Sequence, residues 1–419
     1  MTSRRFQWIA FAALLAAPPL FFEGGFALTL ASQAGIAIIL ALSYNMLLGQ
    51  TGLLSFGHAV YAGLGAYAAI HAMKLIGAGS LPFPVALLPL IGAVAGGTVA
   101  VLLGYVSSRR GGLTFAMISL GIGEMVHAAA ALFPALFGGE SGITADRAGM
   151  RVTTSVADTV AIAAQLGLDF SSAHAVCWLI AAWTLASALA MYGFTRTPLG
   201  RLANAVRDNP ERAAQIGVDP RRVRWLVMIA AGAFAGIAGS LSAILFEIVS
   251  AENLGTPASV AMLIAAFIGG TGAFFGPVAG ALVYTLMSSA VAAVTPAWPM
   301  YLGALFILIV LKAPGGLASI LVDARQSGIY GRFGSAVMGL SVVSALAVLA
   351  GFVGLVESAY ALAGSPGTAA GWLATLPGGR ATGVVLSAAL LMAGREIRHR
   401  LAARRPMPPN AAALPEHAA

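Results

Sequence analysis

The sequence predicts an all-α polytopic membrane protein with about ten core transmembrane helices and one or two further helices near the C-terminus. Two observations carry this prediction: 59% of the 419 residues are hydrophobic and 9% are charged. A soluble domain carries about 25% charged residues, so a soluble enzyme, a nucleic-acid-binding protein and a disordered chain are excluded. The apolar runs are about 15 to 25 residues long and do not alternate in polarity, which argues against a transmembrane β-barrel.

The apolar runs give the predicted spans in chain order. The core spans are Phe6–Phe22, Phe26–Leu48, Leu53–Met73, Pro84–Val106, Leu113–Phe137, Ala173–Phe194, Trp225–Phe246, Ala258–Phe275, Pro277–Val294 and Trp298–Leu311. Two further apolar segments follow, Gly334–Ala363 and Thr382–Ala393, and the second is short for a span of about 20 residues.

The distribution of arginine predicts the orientation. Placing Arg4 and Arg5 in the cytoplasm and crossing at each span puts most other arginines on the same side. Seven of them fall in one cytoplasmic loop, residues 195–224, whereas most of the acidic residues before the tail fall in outer loops. The positive-inside rule therefore predicts a multi-pass plasma-membrane protein with cytoplasmic N- and C-termini.

Two loops are long enough to carry a function of their own. One is the external loop Gly138–Ser172, and the other is the cytoplasmic loop Thr195–Arg224. The end of the chain, residues 395–419, is basic and then rich in Pro and Ala, which is typical of a disordered cytoplasmic tail.

The sequence lacks a phosphate-binding loop. Such a loop needs a Lys that follows a Gly-rich turn, and neither of the two lysines, Lys74 and Lys312, follows a Gly. We therefore expect the chain to bind no cofactor itself, and any ATP and Mg²⁺ to be bound by partner subunits.

Glu124 and His127 are ionisable residues within a predicted span. Their spacing places both on one helix face, but a di-iron site would need a second such motif and more Glu residues, so no metal site is predicted. An ionisable group at membrane depth is a candidate functional residue, and Glu124 is equally well explained as a hydrogen-bonding residue between helices. His58 and His71 are interpreted as structural, because each lacks a nearby carboxylate in sequence.

Two Gly-rich runs interrupt apolar spans and predict helix breaks. Broken helices at membrane depth occur where they line a cavity or are buried in protein. The two runs share a Gly-x-Thr-Gly core, which is explained equally by an internal repeat and by chance; a tight turn between helices is the alternative function. The candidate translocation-path residues are Gly49, Thr51, Gly52, Ser55, Gly57, His58 and Glu124, with Gly270, Thr271 and Gly272 in the second run.

Small residues recur at helical spacing and predict closely packed helix faces. The sets are Gly63, Gly65 and Ala69; Gly232, Gly236 and Ser240; and Gly276 and Gly280.

The cytoplasmic loop predicts one or two short amphipathic surface helices. Asn209 is suited to capping a helix that has Pro210 at its first position and Glu211 in its first turn, and Gly217 is suited to ending it. These helices are short and Ala-rich, which favours docking into a groove of another protein over lying in the membrane interface.

Several segments of the chain, roughly from Ala34 to Leu317, resemble the permease family of branched-chain amino acid ABC importers. They are Ser43–Tyr67, Gly111–Glu124, Gly200–Gly217, Gly269–Gly280 and Lys312–Leu317. The resemblance implies a bacterial inner-membrane importer for branched-chain or related amino acids. It further implies a second homologous permease, two ATPase subunits and an extracytoplasmic solute-binding protein that docks on the outer loops.

The resemblance also implies a division of the chain and a coupling site. Residues 1–317 would form the permease domain, 318–394 additional membrane segments and 395–419 the tail. The segment Gly200–Gly217 would be the coupling segment that sits on the ATPase. The residues expected to couple to the ATPase are Gly200, Arg201, Ala205, Arg207, Asn209, Ala213, Ala214 and Gly217.

The chain departs from the family pattern in two places. Phe137–Gly142 replaces a common Thr-Gly-Gly and Asp-Gly pattern, and two extra apolar runs follow Leu317. Urea or a short amide is an alternative substrate. A proton-coupled secondary carrier that uses Glu124 and His127 is an alternative class, whereas a membrane-embedded enzyme lacks a visible nucleophile or metal set.

Overall fold

The computed structural model of the protein describes residues 2–81, 83–147, 172–313, 315–319, 351–357, 385, 387–393 and 395–396. Most of the predicted external loop, residues 148–171, lies outside this part of the chain. Most of the predicted segment Gly334–Ala363, residues 382–384 and 386 of the predicted segment Thr382–Ala393, and nearly all of the tail also lie outside it.

The described residues are mainly helical, in line with the predicted all-α class. The α-helices are α1 Thr2–Phe21, α2 Gly25–Thr51, α3 His58–Gly77, α4 Leu88–Ser107, α5 Gly112–Leu132, α6 Pro134–Phe137, α7 Ala173–Arg196, α8 Pro198–Asp208, α9 Pro210–Gln215, α10 Pro220–Phe246, α11 Thr256–Gly269, α12 Gly276–Thr285 and α13 Trp298–Lys312. Short 3₁₀ turns occupy Val85–Leu87, Gly139–Ser141 and Ala251–Leu254, and a π-helical turn occupies Leu286–Val291. Two short strands, β1 Ile143–Thr144 and β2 Ile248–Val249, pair antiparallel.

Six helical segments are long and apolar enough to cross a membrane, judged by length and composition among the described residues. They are Gly25–Thr51, His58–Gly77, Val85–Ser107, Gly112–Leu132, Ala173–Arg196 and Pro220–Phe246. Shorter apolar helices, Arg5–Phe21, Thr256–Gly269, Gly276–Val291 and Trp298–Lys312, coincide with the other four predicted core spans. The number of spans that cross the membrane remains a prediction.

The long helix α10 is the centre of the bundle, and it packs against α2, α3 and α4. The packing brings backbone against backbone at glycines: a Cβ on Gly236 would lie 2.0 Å from the Gly92 oxygen, and one on Gly239 would lie 1.8 Å from the Ala62 oxygen. Such close approach is how helices gain contact where lipid offers no hydrophobic driving force. The predicted small-residue faces are therefore confirmed at Gly65 and Gly236, which face each other across α3 and α10.

The chain divides into two compact units. One comprises residues 1–286 and 306–320, and it contains both predicted helix breaks and the loop 195–224. The other comprises residues 287–305 and 321–419. Within the second unit, the buried Glu357 carboxylate accepts hydrogen bonds from the Thr295 and Tyr301 hydroxyls, each at 2.6 Å.

Candidate functional site

The first predicted break is a real interruption between α2 and α3, which we call the first break, residues 52–57. Gly52 ends α2 in the left-handed conformation, with φ of 68°, and its N–H donates to the Leu48 oxygen at 3.1 Å. This is the usual glycine cap at a helix C-terminus. The chain then continues without helical structure until α3 begins at His58.

Side chains from three helices hold the first break. The Tyr44 hydroxyl of α2 donates to the Ser55 oxygen at 3.0 Å, and Ser43 Oγ lies 2.9 Å from His58 Nε2. The Phe56 N–H donates to Ser119 Oγ of α5 at 3.0 Å. The Ala59 N–H donates to Ser259 Oγ of α11 at 2.9 Å. Because a buried backbone group without a partner is costly, these hydroxyls make a non-helical segment stable inside an apolar bundle.

Buried polar atoms without a partner are concentrated in the first break and in the adjoining parts of α2 and α3. Four buried side-chain atoms there have no hydrogen-bond partner among the described residues: Asn45 Oδ1, Gln50 Oε1, Ser55 Oγ and His58 Nδ1. Buried polar atoms are normally hydrogen-bonded, so such a concentration marks a candidate functional region. The predicted path residues Ser55 and His58 belong to it, whereas Asn45, Gln50 and the two serines on α5 and α11 were not predicted.

The second break, residues 270–275, separates α11 from α12. Gly270 has φ of 99°, and a Cβ there would lie 2.1 Å from the Gly315 oxygen. A Cβ on Gly276 would lie 2.0 Å from the Gly270 oxygen, so the turn closes tightly on itself. Glycine is required at both positions by this close approach, and by the positive φ at Gly270.

The two breaks lie against each other. A Cβ on Gly49 at the end of α2 would lie 2.8 Å from the backbone oxygen of Thr271. The shared Gly-x-Thr-Gly cores therefore meet in space, although this contact does not decide between an internal repeat and chance. Among the predicted path residues, the structure brings together Gly49, Gly270 and Thr271.

The loop 195–224 forms the surface helices α8 and α9, as the sequence predicts. Thr197 caps α8 by accepting from the Gly200 N–H at 3.2 Å, and Asn209 caps α9 by accepting from the Arg212 N–H at 2.9 Å. Gly217, with φ of 86°, follows the end of α9, and its N–H donates to the Ala214 oxygen. Each helix has Pro at its first position, where a missing N–H removes no helical hydrogen bond.

The surface helices divide the predicted coupling residues into two sets. Of the predicted residues, Gly200 and Ala213 are buried, and together with Ala203 and Val206, which were not predicted, they pack the helices onto the bundle. The other six predicted residues are exposed: Arg201, Ala205, Arg207, Asn209, Ala214 and Gly217. Ile216 was not among the predicted residues, and it is 72% exposed at the end of α9. The sequence signal for this position is a large apolar residue in a polar loop, and such a residue, when exposed, marks a candidate contact with a partner.

Arg207 connects α8 to the first break. Its Nη1 donates to the backbone oxygen of Gly49, and a Cβ on Gly52 would lie 3.2 Å from its Cγ. Its Nε and Nη2 both lie 3.0 Å from Asp208 Oδ1. The guanidinium is thus directed toward the end of α2.

Glu124 and His127 face the chain segment between α10 and α11. The Thr256 hydroxyl donates to Glu124 Oε1, and His127 Nδ1 lies 2.9 Å from the Ala251 oxygen. Both contacts fit the interpretation of polar residues that hold neighbouring segments together. No cluster of three or more His, Cys, Asp or Glu suited to a metal ion occurs among the described residues.

Strands β1 and β2 join two loops at the C-terminal end of α10, which is the end opposite the surface helices. Glu247, which ends α10, is the one residue other than glycine with positive φ in the described part of the chain, at 59°. Its carboxylate accepts from the Arg147 N–H at 2.9 Å and lies 3.4 Å from Arg147 Nε. This pair was not anticipated from the sequence.

A bundle of apolar helices that contains two breaks close together is typical of polytopic membrane transport proteins. Residues 26–311 match the family model described as branched-chain amino acid transport system, permease component. The chain therefore belongs to this family of transport permeases.

Two curated relatives are similar over most of the chain. One is the high-affinity branched-chain amino acid transport system permease protein LivM of Escherichia coli (strain K12), 27% identical over 306 residues. The other is the protein of the same name from Salmonella typhimurium (strain LT2), 27% identical over 299 residues. Each alignment covers 69% of this chain and 69% of the relative. No solved structure matches the chain.

Proposed function

We propose that this chain is the membrane-spanning permease subunit of an ATP-driven importer for branched-chain amino acids in the bacterial inner membrane. Membership of the permease family supports the transport class. The relatives are named for high-affinity branched-chain amino acid transport, and this supports the substrate proposed here. In this proposal a second permease encloses the path together with this chain, and a solute-binding protein delivers the substrate from outside.

The observation that carries the ATP-coupling part of the proposal is the contact between the surface helices and the first break. The chain has no phosphate-binding loop, so the work of ATP hydrolysis has to reach it through a surface. The helices α8 and α9 offer exposed residues to such a partner, and Arg207 contacts the end of α2. The bundle would then switch access by rigid-body movement of helices about the breaks.

Purification and reconstitution test the proposal. The chain is expressed with the products of its neighbouring genes, purified through a tag on this chain, and placed in liposomes with ATP inside or outside. We expect ATPase subunits to copurify and labelled leucine uptake to require ATP and the binding protein. A tenfold excess of unlabelled isoleucine or valine should compete, whereas competition by urea or acetamide alone would contradict the amino acid assignment.

A proton-coupled carrier is the alternative class, and the Glu124 contacts do not favour it. The Thr256 hydroxyl donates to Glu124 Oε1, an interaction that a Gln side chain can also accept. We expect E124Q to keep ATP-driven uptake, and uptake to persist when a protonophore collapses the pH gradient. Uptake that stops with the protonophore in the presence of ATP would contradict the proposal.

A further inference from the structure

We infer that Arg207 is a positioning residue that links surface helix α8 to both helix breaks, and that it does not contact the ATPase. This inference rests on the proposed function, because it assigns a path for the movement that ATP hydrolysis would impose on the surface helices. It distinguishes the exposed residues of the coupling segment Gly200–Gly217 that would receive a partner from Arg207, whose side chain is 40% exposed but whose guanidinium contacts the end of α2 and would pass the movement on.

The acceptor that Arg207 contacts is the backbone oxygen of Gly49, at the C-terminal end of α2. The last carbonyl groups of an α-helix have no partner within the helix. At the end of α2, the Leu48 oxygen is taken by the Gly52 N–H, and the Leu53 N–H turns back to the Leu47 oxygen. The Gly49 oxygen, which Leu53 would satisfy in a continuing helix, instead accepts from Arg207 Nη1. A cation at this end of a helix is also favoured by the helix dipole.

The Arg207 side chain packs against Gly52, the residue that ends α2. The left-handed conformation of Gly52 lets the arginine stem pass against the chain, with Cγ 3.2 Å from where a Cβ would stand. Asp208 accepts from the same guanidinium and fixes its plane. The Nε, Nη1 and Nη2 atoms of Arg207 are therefore occupied by contacts within the chain.

The C-terminal end of α2 in turn contacts the second break. Gly49 lies against the backbone of Thr271, and Gly270 lies against the backbone at Gly315. These contacts are between backbone atoms, so no side-chain rotation can absorb a displacement. A shift of α8 that pulls on the Gly49 carbonyl has to move the end of α2 against the second break.

The attachment of α8 to the bundle does not depend on Arg207. Ala203 and Val206 are buried, and α8 packs against α2, α7 and α10. The first turn of α8 is also fixed, since a Cβ on Gly200 would lie 2.5 Å from the Phe194 oxygen. Removing the guanidinium should therefore leave the surface helices docked and available to a partner.

The test uses the full complex in liposomes with R207M, R207K and R196A. Methionine keeps an unbranched apolar stem against Gly52 and removes every donor, whereas lysine keeps a positive donor. R196A is the matched control, because Arg196 is an exposed arginine of the same loop whose guanidinium stacks on Tyr192 and bonds its hydroxyl. The readouts are recovery of ATPase subunits, substrate-stimulated ATP hydrolysis and leucine taken up per ATP hydrolysed.

We expect R207M to assemble and to hydrolyse ATP within about twofold of the unaltered complex, while uptake per ATP falls about tenfold, the loss that a charged hydrogen bond corresponds to. R207K should restore at least half of the uptake per ATP, and R196A should change none of the readouts. Loss of ATPase subunits from R207M would make Arg207 a docking residue and overturn the inference. Parallel loss of hydrolysis and uptake, unchanged uptake per ATP in R207M, or no rescue by R207K would overturn it as well. Failure of the proposed function itself is recognised separately, since the unaltered complex would then show no ATP-driven leucine uptake.

Discussion

Arg147 holds Glu247 in a backbone conformation that side chains rarely adopt. The Arg147 N–H donates to Glu247 Oε1, and the guanidinium also donates to the Ile244 and Leu245 oxygens at the end of α10. One residue therefore caps the last carbonyls of the helix and neutralises the acid that ends it. The pair fixes the place where the loop from β1 meets the C-terminal end of α10.

We predict that R147A lowers the free energy of unfolding by about 1–3 kcal/mol, because it leaves the Ile244 and Leu245 oxygens without their guanidinium donor, whereas the backbone N–H of residue 147 still donates to Glu247. The ion pair itself adds little, since the Glu247 side chain is 36% exposed and screened by solvent. Thermal unfolding of the purified complex measures the change. R222A is the control, because Arg222 is 81% exposed in its pair with Asp219, and it should shift the midpoint by much less. Equal shifts for the two variants would contradict the capping role.

Gly236 should not tolerate even one methyl group. A Cβ there would lie 2.0 Å from the Gly92 oxygen, so α4 and α10 would have to separate. We predict that G236A costs about 3 kcal/mol or more, or prevents assembly. The control is G121A on α5, where a Cβ would meet nothing within 4 Å and helix propensity favours Ala. Yield and thermal midpoint after purification distinguish the two, and a stable G236A protein would contradict the packing.

Ser259 should matter because of its hydroxyl and not its size. S259A leaves the buried Ala59 N–H at the start of α3 without an acceptor, which we expect to cost about 1–3 kcal/mol and to reduce uptake. S187A is the matched change, since Ser187 Oγ is buried and has no partner among the described residues. Unfolding midpoints and leucine uptake of the two variants check the prediction, and an S187A effect as large as that of S259A would refute it.

Ile216 should be an anchor for the proposed ATPase partner. The side chain is 72% exposed, and burying an isoleucine contributes about 1.5–3 kcal/mol to binding. We predict that I216E lowers copurification of ATPase subunits about tenfold, without changing membrane insertion of this chain. Q215E adds the same charge to the neighbouring exposed position and should have a smaller effect. If Q215E disrupts the complex as strongly as I216E, charge repulsion and not apolar burial explains the result.

The sequence determined the all-α class and the approximate positions of the helices, whereas several helix ends differ from the predicted spans: α3 begins at His58 and not at Leu53, and α11 ends at Gly269 and not at Phe275. Apolar runs are sufficient to place helices, because a chain in lipid has to satisfy its backbone within each segment. The cap at Asn209 was equally local, since the cap, Pro210 and the first turn of the helix are adjacent in the chain. The two breaks could also be located from the sequence, because a cluster of glycines at the end of an apolar run indicates that the helix ends there.

Tertiary structure alone decided what the breaks contact. Gly49 and Thr271 are far apart in the sequence. Neither residue is charged, so no charge complementarity indicates that they meet. Arg207 resembles Arg201 in the sequence and both side chains are exposed, yet the packing of α8 directs the Arg207 guanidinium to the Gly49 carbonyl. Ser119 and Ser259 became part of the site only because packing brought their hydroxyls to the N–H groups of Phe56 in the first break and of Ala59 in the first turn of α3. Local sequence patterns specify the secondary-structure elements. The hydrogen-bond partner of a backbone group that has none within its own helix is decided only when the helices pack against each other.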